Sequence, residues 1–143
     1  MQVKRMLRGR AVTPSGFALD ETASAMAEFA VAAAIFTVLM LGIMEFGFTS
    51  WGKNSVAADA REGARYAIVH GSTSGNIATA SDIQNYVRTR TSLDNSIVVL
   101  TTWNPDNSPG SIVTVKVKHA VPRRGPFIPA GTDSSISKMT VLF

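Results

Sequence analysis

Two carboxylates bracket the most apolar part of this chain. Glu28 and Glu45 stand at the two ends of Phe29 to Met44, sixteen residues without a charge. A carboxylate placed in hydrocarbon costs about 2.5–3.5 kcal/mol on insertion scales, so an acid in such a setting is a functional candidate by default. Other chemistry has little to work with. There is no cysteine, which removes thiol nucleophiles, disulfides and zinc–thiolate clusters. His70 and His119 are lone histidines with no His, Cys or acid at ligand spacing, so no metal site is expected. No P-loop, GxSxG or zincin pattern occurs, and "GSTSG" (71–75) lacks the lysine a phosphate loop needs. Arg123 and Arg124 form a basic pair that suits a solvated turn, with anionic lipid or an acidic partner as the other reading; it is too small for a nucleic-acid face. The expectation is a non-enzymatic protein without a cofactor.

The elements that carry the two glutamates follow from charge and periodicity. Lys4, Arg5, Arg8 and Arg10 precede the apolar run, and the next basic residue is Lys53. By the positive-inside rule the N-terminus is then cytoplasmic and the larger C-terminal part external. Residues 1–23 read as a basic leader outside the fold. Residues 24–48 read as a transmembrane helix: Ala25 to Phe48 gives 24 residues, about 36 Å of helix. Glu45 marks the external interface in this reading, with Phe46, Phe48 and Trp51 as an aromatic belt. Residues 49–71 read as an amphipathic continuation. Val56, Ala60, Ala64 and Ile68 recur every fourth residue with Ala57 and Ala67 beside them, while Asp59, Arg61, Glu62 and Arg65 take other faces. One helix from Ala25 to Val69, closed at Gly71, accounts for all of it. Glu62 and Arg65 are spaced for an i,i+3 ion pair.

Residues 72–143 then form an external head. A short helix is predicted over Ala80–Arg90, with Ser81 as N-cap, Asp82 in its first turn and Ile83, Tyr86 and Val87 on one face. "SIVVLTTW" and "SIVTVKVKHAV", joined by the turn-rich "NPDNSPG", make a hairpin with Val113, Val115 and Val117 on its buried face. "PRRGPFIPAGTDS" is a long loop, and "SISKMTVLF" a last strand with Met139, Val141 and Phe143 in phase. No internal repeat is present. The fold class expected is α+β: a long N-terminal helix packed on a small antiparallel sheet with one extra short helix.

The segments "AEFAVAAAIFTVLMLGIMEFG" (Ala27 to Gly47) and "AREGARYAIV" (Ala60 to Val69) resemble TadE-like pseudopilins, minor subunits of tight-adherence (Flp-type) pilus systems in the type IV pilin superfamily, and the related TadG N-terminal region. The spacing of the two blocks also resembles that family, and the second is the more specific. Beyond Gly71 the likeness is one of architecture. The resemblance implies a cut by a prepilin peptidase on the cytoplasmic side, five residues ahead of Glu28, between Ala23 and Ser24. The family usually has glycine before the cut, and this chain has alanine. A rival register follows Gly16, with Phe17 first and Glu21 fifth; it leaves Glu28 inside the span and is less favoured.

A cut after Ala23 would create an α-amino group at Ser24, and the resemblance implies that such a group pairs with a neighbouring subunit's glutamate during filament assembly, each partner lowering the other's desolvation cost. The plainer reading of Glu28 is a residue at the cytoplasmic headgroup level. In "REGARY", Arg61, Glu62, Gly63, Ala64, Arg65 and Tyr66, the small residues suit close helix packing better than a partner surface. The implied protein is a structural minor pilin in the bacterial inner membrane or in a surface pilus used for attachment. Its implied partners are the prepilin peptidase, other minor pilins, the major pilin and the inner-membrane assembly platform, in a homo- or hetero-oligomer. Two alternatives stay open: a signal-anchored external binding module that never enters a filament, and a secreted domain released after "SVA", before Ala58.

Overall fold

The structure is a computed structural model and describes residues 15–94, 96–123 and 125–143. The basic leader residues Lys4, Arg5, Arg8 and Arg10, and Arg124, lie outside the described residues. Three elements of the head sheet and two helices follow in the order α1 (Ser15–Val69), α2 (Ala80–Arg90), β1 (Ile97–Asn104), β2 (Ile112–Val121) and β3 (Gly131–Thr140). The chain divides into two units, Met1–Leu41 and Gly42–Phe143.

In the first unit the described residues are all helical. Nothing in it packs against a core: Phe29, Val31, Ile35, Phe36, Val38 and Leu39 are exposed on every side of the helix. A helix apolar all round needs an apolar surrounding, because neither a water-facing nor a core-facing stripe exists. Glu21–Val69 contains a stretch long and apolar enough to cross a membrane, and none of that stretch is buried. Its one interior hydroxyl is satisfied locally, with Thr37 Oγ1 donating to the Ala33 carbonyl at 2.7 Å, the usual way a helical threonine is carried in an apolar medium.

The second unit is an antiparallel three-stranded sheet in the order β1-β2-β3 with α2 and the last turns of α1 on one face. Alternation sets that face. Val113, Val115, Val117 and His119 of β2 are buried, flanked by Ile97 and Val99 on β1 and by Met139 on β3. From the helices come Val56, Ala60, Ala64 and Ala67 of α1 and Ile83 and Val87 of α2. Each fully buried valine contributes about 1.5–3 kcal/mol. The α1 stripe is mostly alanine, so the helix backbone comes close to the sheet. At Gly63 a Cβ would lie 2.9 Å from Val87 Cγ2 and 3.2 Å from Val115 Cγ1.

Several details differ from the sequence expectation. The N-cap of α2 is Thr79, not Ser81: Asp82 N donates to Thr79 Oγ1 at 3.3 Å and Thr79 N to Asp82 Oδ2 at 2.9 Å, a complete capping box. The box requires the cap three residues before the acid, a spacing Thr79 has and Ser81 lacks. β3 starts at Gly131, opposite Val121, and ends at Thr140; the polar "TDSS" is drawn into the strand by pairing that its propensity does not favour. Val141–Phe143 leave the sheet, and Phe143 is exposed. This tail is held by Val141 N donating to the Ser111 carbonyl (2.8 Å) and Leu142 N to the Ile68 carbonyl (3.0 Å). Gly71 has no positive φ; it is glycine because a Cβ would overlap the Phe143 carbonyl.

Candidate functional site

Each expected site residue has a definite place. Ala23, Ser24 and Glu28 all lie within α1 and are exposed. Glu28 has no hydrogen-bond or ion-pair partner among the described residues, and it shares a shallow apolar groove with Ala27, Val31, Ala32 and Ile35. A bare carboxylate on an apolar helix is tolerable in water or among headgroups and costly in hydrocarbon. Its chemistry there is that of an acceptor-only anion waiting for a cation or N–H donor.

The "REGARY" block splits into two sides. Gly63 and Ala64 face the core and are buried. Glu62 and Tyr66 face α2: Tyr86 Oη donates to Glu62 Oε1 at 2.8 Å, and Tyr66 stacks on Tyr86 with ring centroids 4.0 Å apart. His70 continues the stack at 4.1 Å and donates from Nδ1 to the Tyr66 carbonyl. Arg90 lies over the Tyr86 ring, donates to its oxygen at 2.7 Å, and stands 3.7 Å from Glu62. The Glu62 carboxylate, accepting from Tyr86, holds that phenol above its ordinary pKa. The ion pair of Glu62 is therefore with Arg90 and not with Arg65, because the carboxylate reaches across to α2. Arg61 and Arg65 are exposed and have no partner among the described residues.

Two features escape sequence reasoning. Glu45 is more than a boundary marker: its Oε2 accepts from Phe127 N (3.2 Å) and Ile128 N (3.1 Å), fastening the proline-rich loop to α1. A contact 82 residues away in sequence leaves no local signal. His119 is buried, and its Nε2 donates to Asp94 Oδ1 at 3.1 Å. Its burial was legible, since it alternates in phase with Val113, Val115 and Val117; its acid partner was not. Among the described residues no three His, Asp or Glu side chains gather where they could hold a metal ion.

The exposed apolar helix, its glutamate and the small-residue block above it are the features to compare with known proteins. Residues 23–65 match the family model of the TadE-like protein. The match starts at Ala23, contains Glu28 and Glu45, and ends at Arg65, so the TadE-like segment holds both glutamates and most of "REGARY" and covers less than a third of the chain. No curated protein and no solved structure matches the chain.

Proposed function

We propose that this chain is a structural, non-catalytic minor pilin of a tight-adherence pilus, anchored in the inner membrane by α1 and matured by a prepilin peptidase between Ala23 and Ser24. The observation that carries the proposal is the TadE-like match over 23–65, laid on a helix that is apolar all round and bears a Glu28 without a partner among the described residues. In the membrane Glu28 sits at the cytoplasmic edge. In a filament it faces the new α-amino group of a neighbouring subunit. The pair then forms where both charges lose water, and a buried ion pair is costly to break from one side, about 3–5 kcal/mol when one partner is removed. The head, residues 72–143, is the part left exposed for contacts with other pilins or with a surface. Partners are the peptidase, the other pilins and the assembly platform.

Replacing the carboxylate tests this directly. Glu28→Ala removes an exposed charge from an exposed helix position, so membrane insertion and head folding stay at the level of the native chain. Incorporation into sheared pili falls to background. Fractionation of cells and immunoblotting of the pilus fraction measure both. Native-level incorporation of Glu28→Ala would sink the pairing role.

A further inference from the structure

Glu45 and the loop it holds form a surface that the pilin reading leaves unused. The loop between β2 and β3 contains Pro122, Pro126 and Pro129, three residues without a backbone N–H. The two N–H groups that follow Pro126, on Phe127 and Ile128, both donate to Glu45 Oε2 at 3.2 and 3.1 Å. Gly125 lies so close to the same carboxylate that a Cβ would overlap it. The loop packs onto α1 as well: Pro122 and Ile128 line one small pocket with Glu45, Phe48 and Trp51. The result is a loop whose Phe127 and Ile128 amides are both satisfied by Glu45 while the Phe127 side chain stays outward. Phe127 is 50% exposed, beside a helix turn whose Phe46, Phe48 and Trp51 are 70%, 52% and 46% exposed.

This is an unusual arrangement for a loop meant for water. A water-facing loop has solvent for its N–H groups, whereas backbone that reaches the edge of the hydrocarbon needs a protein acceptor. Glu45 supplies that acceptor at the last turn of the apolar run, the depth at which aromatic side chains collect. Lys53, two residues after Trp51, and Arg123, in the loop itself, are exposed, and cations at that level are attracted by anionic headgroups. We propose that residues 125–130 of this loop form a foot resting in the phospholipid headgroup region. Phe127 enters the interface next to the belt of Phe46, Phe48 and Trp51, and Glu45 is the positioning residue that holds the loop there. The inference rests on the membrane-anchored reading of α1.

Because the chain has no cysteine, single Cys variants can carry a nitroxide without background changes. The full chain is placed in nanodiscs of phosphatidylethanolamine and phosphatidylglycerol. The oxygen-to-nickel-chelate accessibility ratio is then compared at Phe127→Cys, at Leu39→Cys in the apolar run and at Leu100→Cys on the outer face of the sheet. The Phe127 label is expected to read several-fold above Leu100 and below Leu39. Adding Glu45→Ala, or Gly125→Ala as a second way of forcing the loop off the carboxylate, lowers the Phe127 ratio to that of Leu100 while Leu39 does not move. A Phe127 label as aqueous as Leu100 in the native background overturns the foot and leaves the anchor standing. A label shielded from both reagents also overturns it, in favour of a contact between copies. If Leu39 itself reads aqueous, the membrane reading fails and the foot with it.

Discussion

Glu28 and Glu45 carry the same functional group in opposite circumstances. Glu45 accepts through Oε2 from two backbone N–H groups of the head, while Glu28 has no partner among the described residues. Sequence reasoning singles out Glu28 and passes over Glu45, because a carboxylate fastened by distant backbone leaves no trace in local pattern. The head's other carboxylates set its response to acid. Hydrogen bonds from Thr79 hold Asp82 below the ordinary carboxylate value. Those from Ser96 do so for Asp94, assisted by His119, and those from Ser108 for Asp106. A carboxyl depressed in the folded state stabilises above its unfolded value and loses that contribution as pH falls through the folded one. Asp59 runs the other way, since burial raises it despite the hydrogen bond from Thr91; its ionisation opposes folding, and protonation relieves that. With three groups against one, the thermal midpoint of the head should drop as pH is lowered below about 4. Circular dichroism melts across that range measure it; a midpoint that rises on acidification would mean that Asp59 dominates. Thr79→Ala should cost about 1 kcal/mol, the usual value of an N-cap. It should also flatten the acid limb, because Asp82 loses the Thr79 hydroxyl and keeps only the Thr79 amide as donor; chemical denaturation in detergent micelles reads both.

At the scale of elements, helix faces were legible, while strand ends were not, nor was the start of α1, which lies at Ser15 and takes in residues 15–23 that sequence reading assigned to the leader. The fourth-residue recurrence of Val56, Ala60, Ala64 and Ile68 locates the packing face of α1, and Ile83 and Val87 that of α2, because the 3.6-residue period is local. The extent of β3 depends on its partner. Gly131 pairs with Val121 and Thr140 with Ile112, so β2 determines where β3 begins and ends, and a run such as "TDSS" carries no strand signal of its own. Close approach is likewise a property of two elements. Gly63 is where α1 meets both α2 and the sheet, so Gly63→Val should destabilise the head by about 1–3 kcal/mol through overpacking. Gly63→Ala should cost less, since its better helix propensity returns about 1 kcal/mol. Equal stability of the valine variant by denaturant titration would show that the α1–α2–sheet contact yields more easily than its spacing implies. Gly71→Ala should displace the C-terminal tail, which hydrogen exchange would detect as lost protection at the Leu142 amide.

For the whole molecule, the organising fact is a helix that is apolar on all sides in one unit and half-embedded in a sheet core in the other. Among the described residues the first unit's large apolar side chains are exposed, and the TadE-like match over 23–65 overlaps the segment that needs an apolar partner. Under the proposed function that partner is lipid before assembly and other pilin helices after it. In that proposal the change from one to the other depends on a new N-terminus beside Glu28. The most direct measurement is therefore the N-terminal sequence of the mature protein, made in cells with and without a prepilin peptidase. The account predicts Ser24 at the terminus only when the enzyme is present. Met1 retained in both would leave a simple signal-anchored module, and Ala58 at the terminus would mean release by an ordinary signal peptidase; either result contradicts the pilin account.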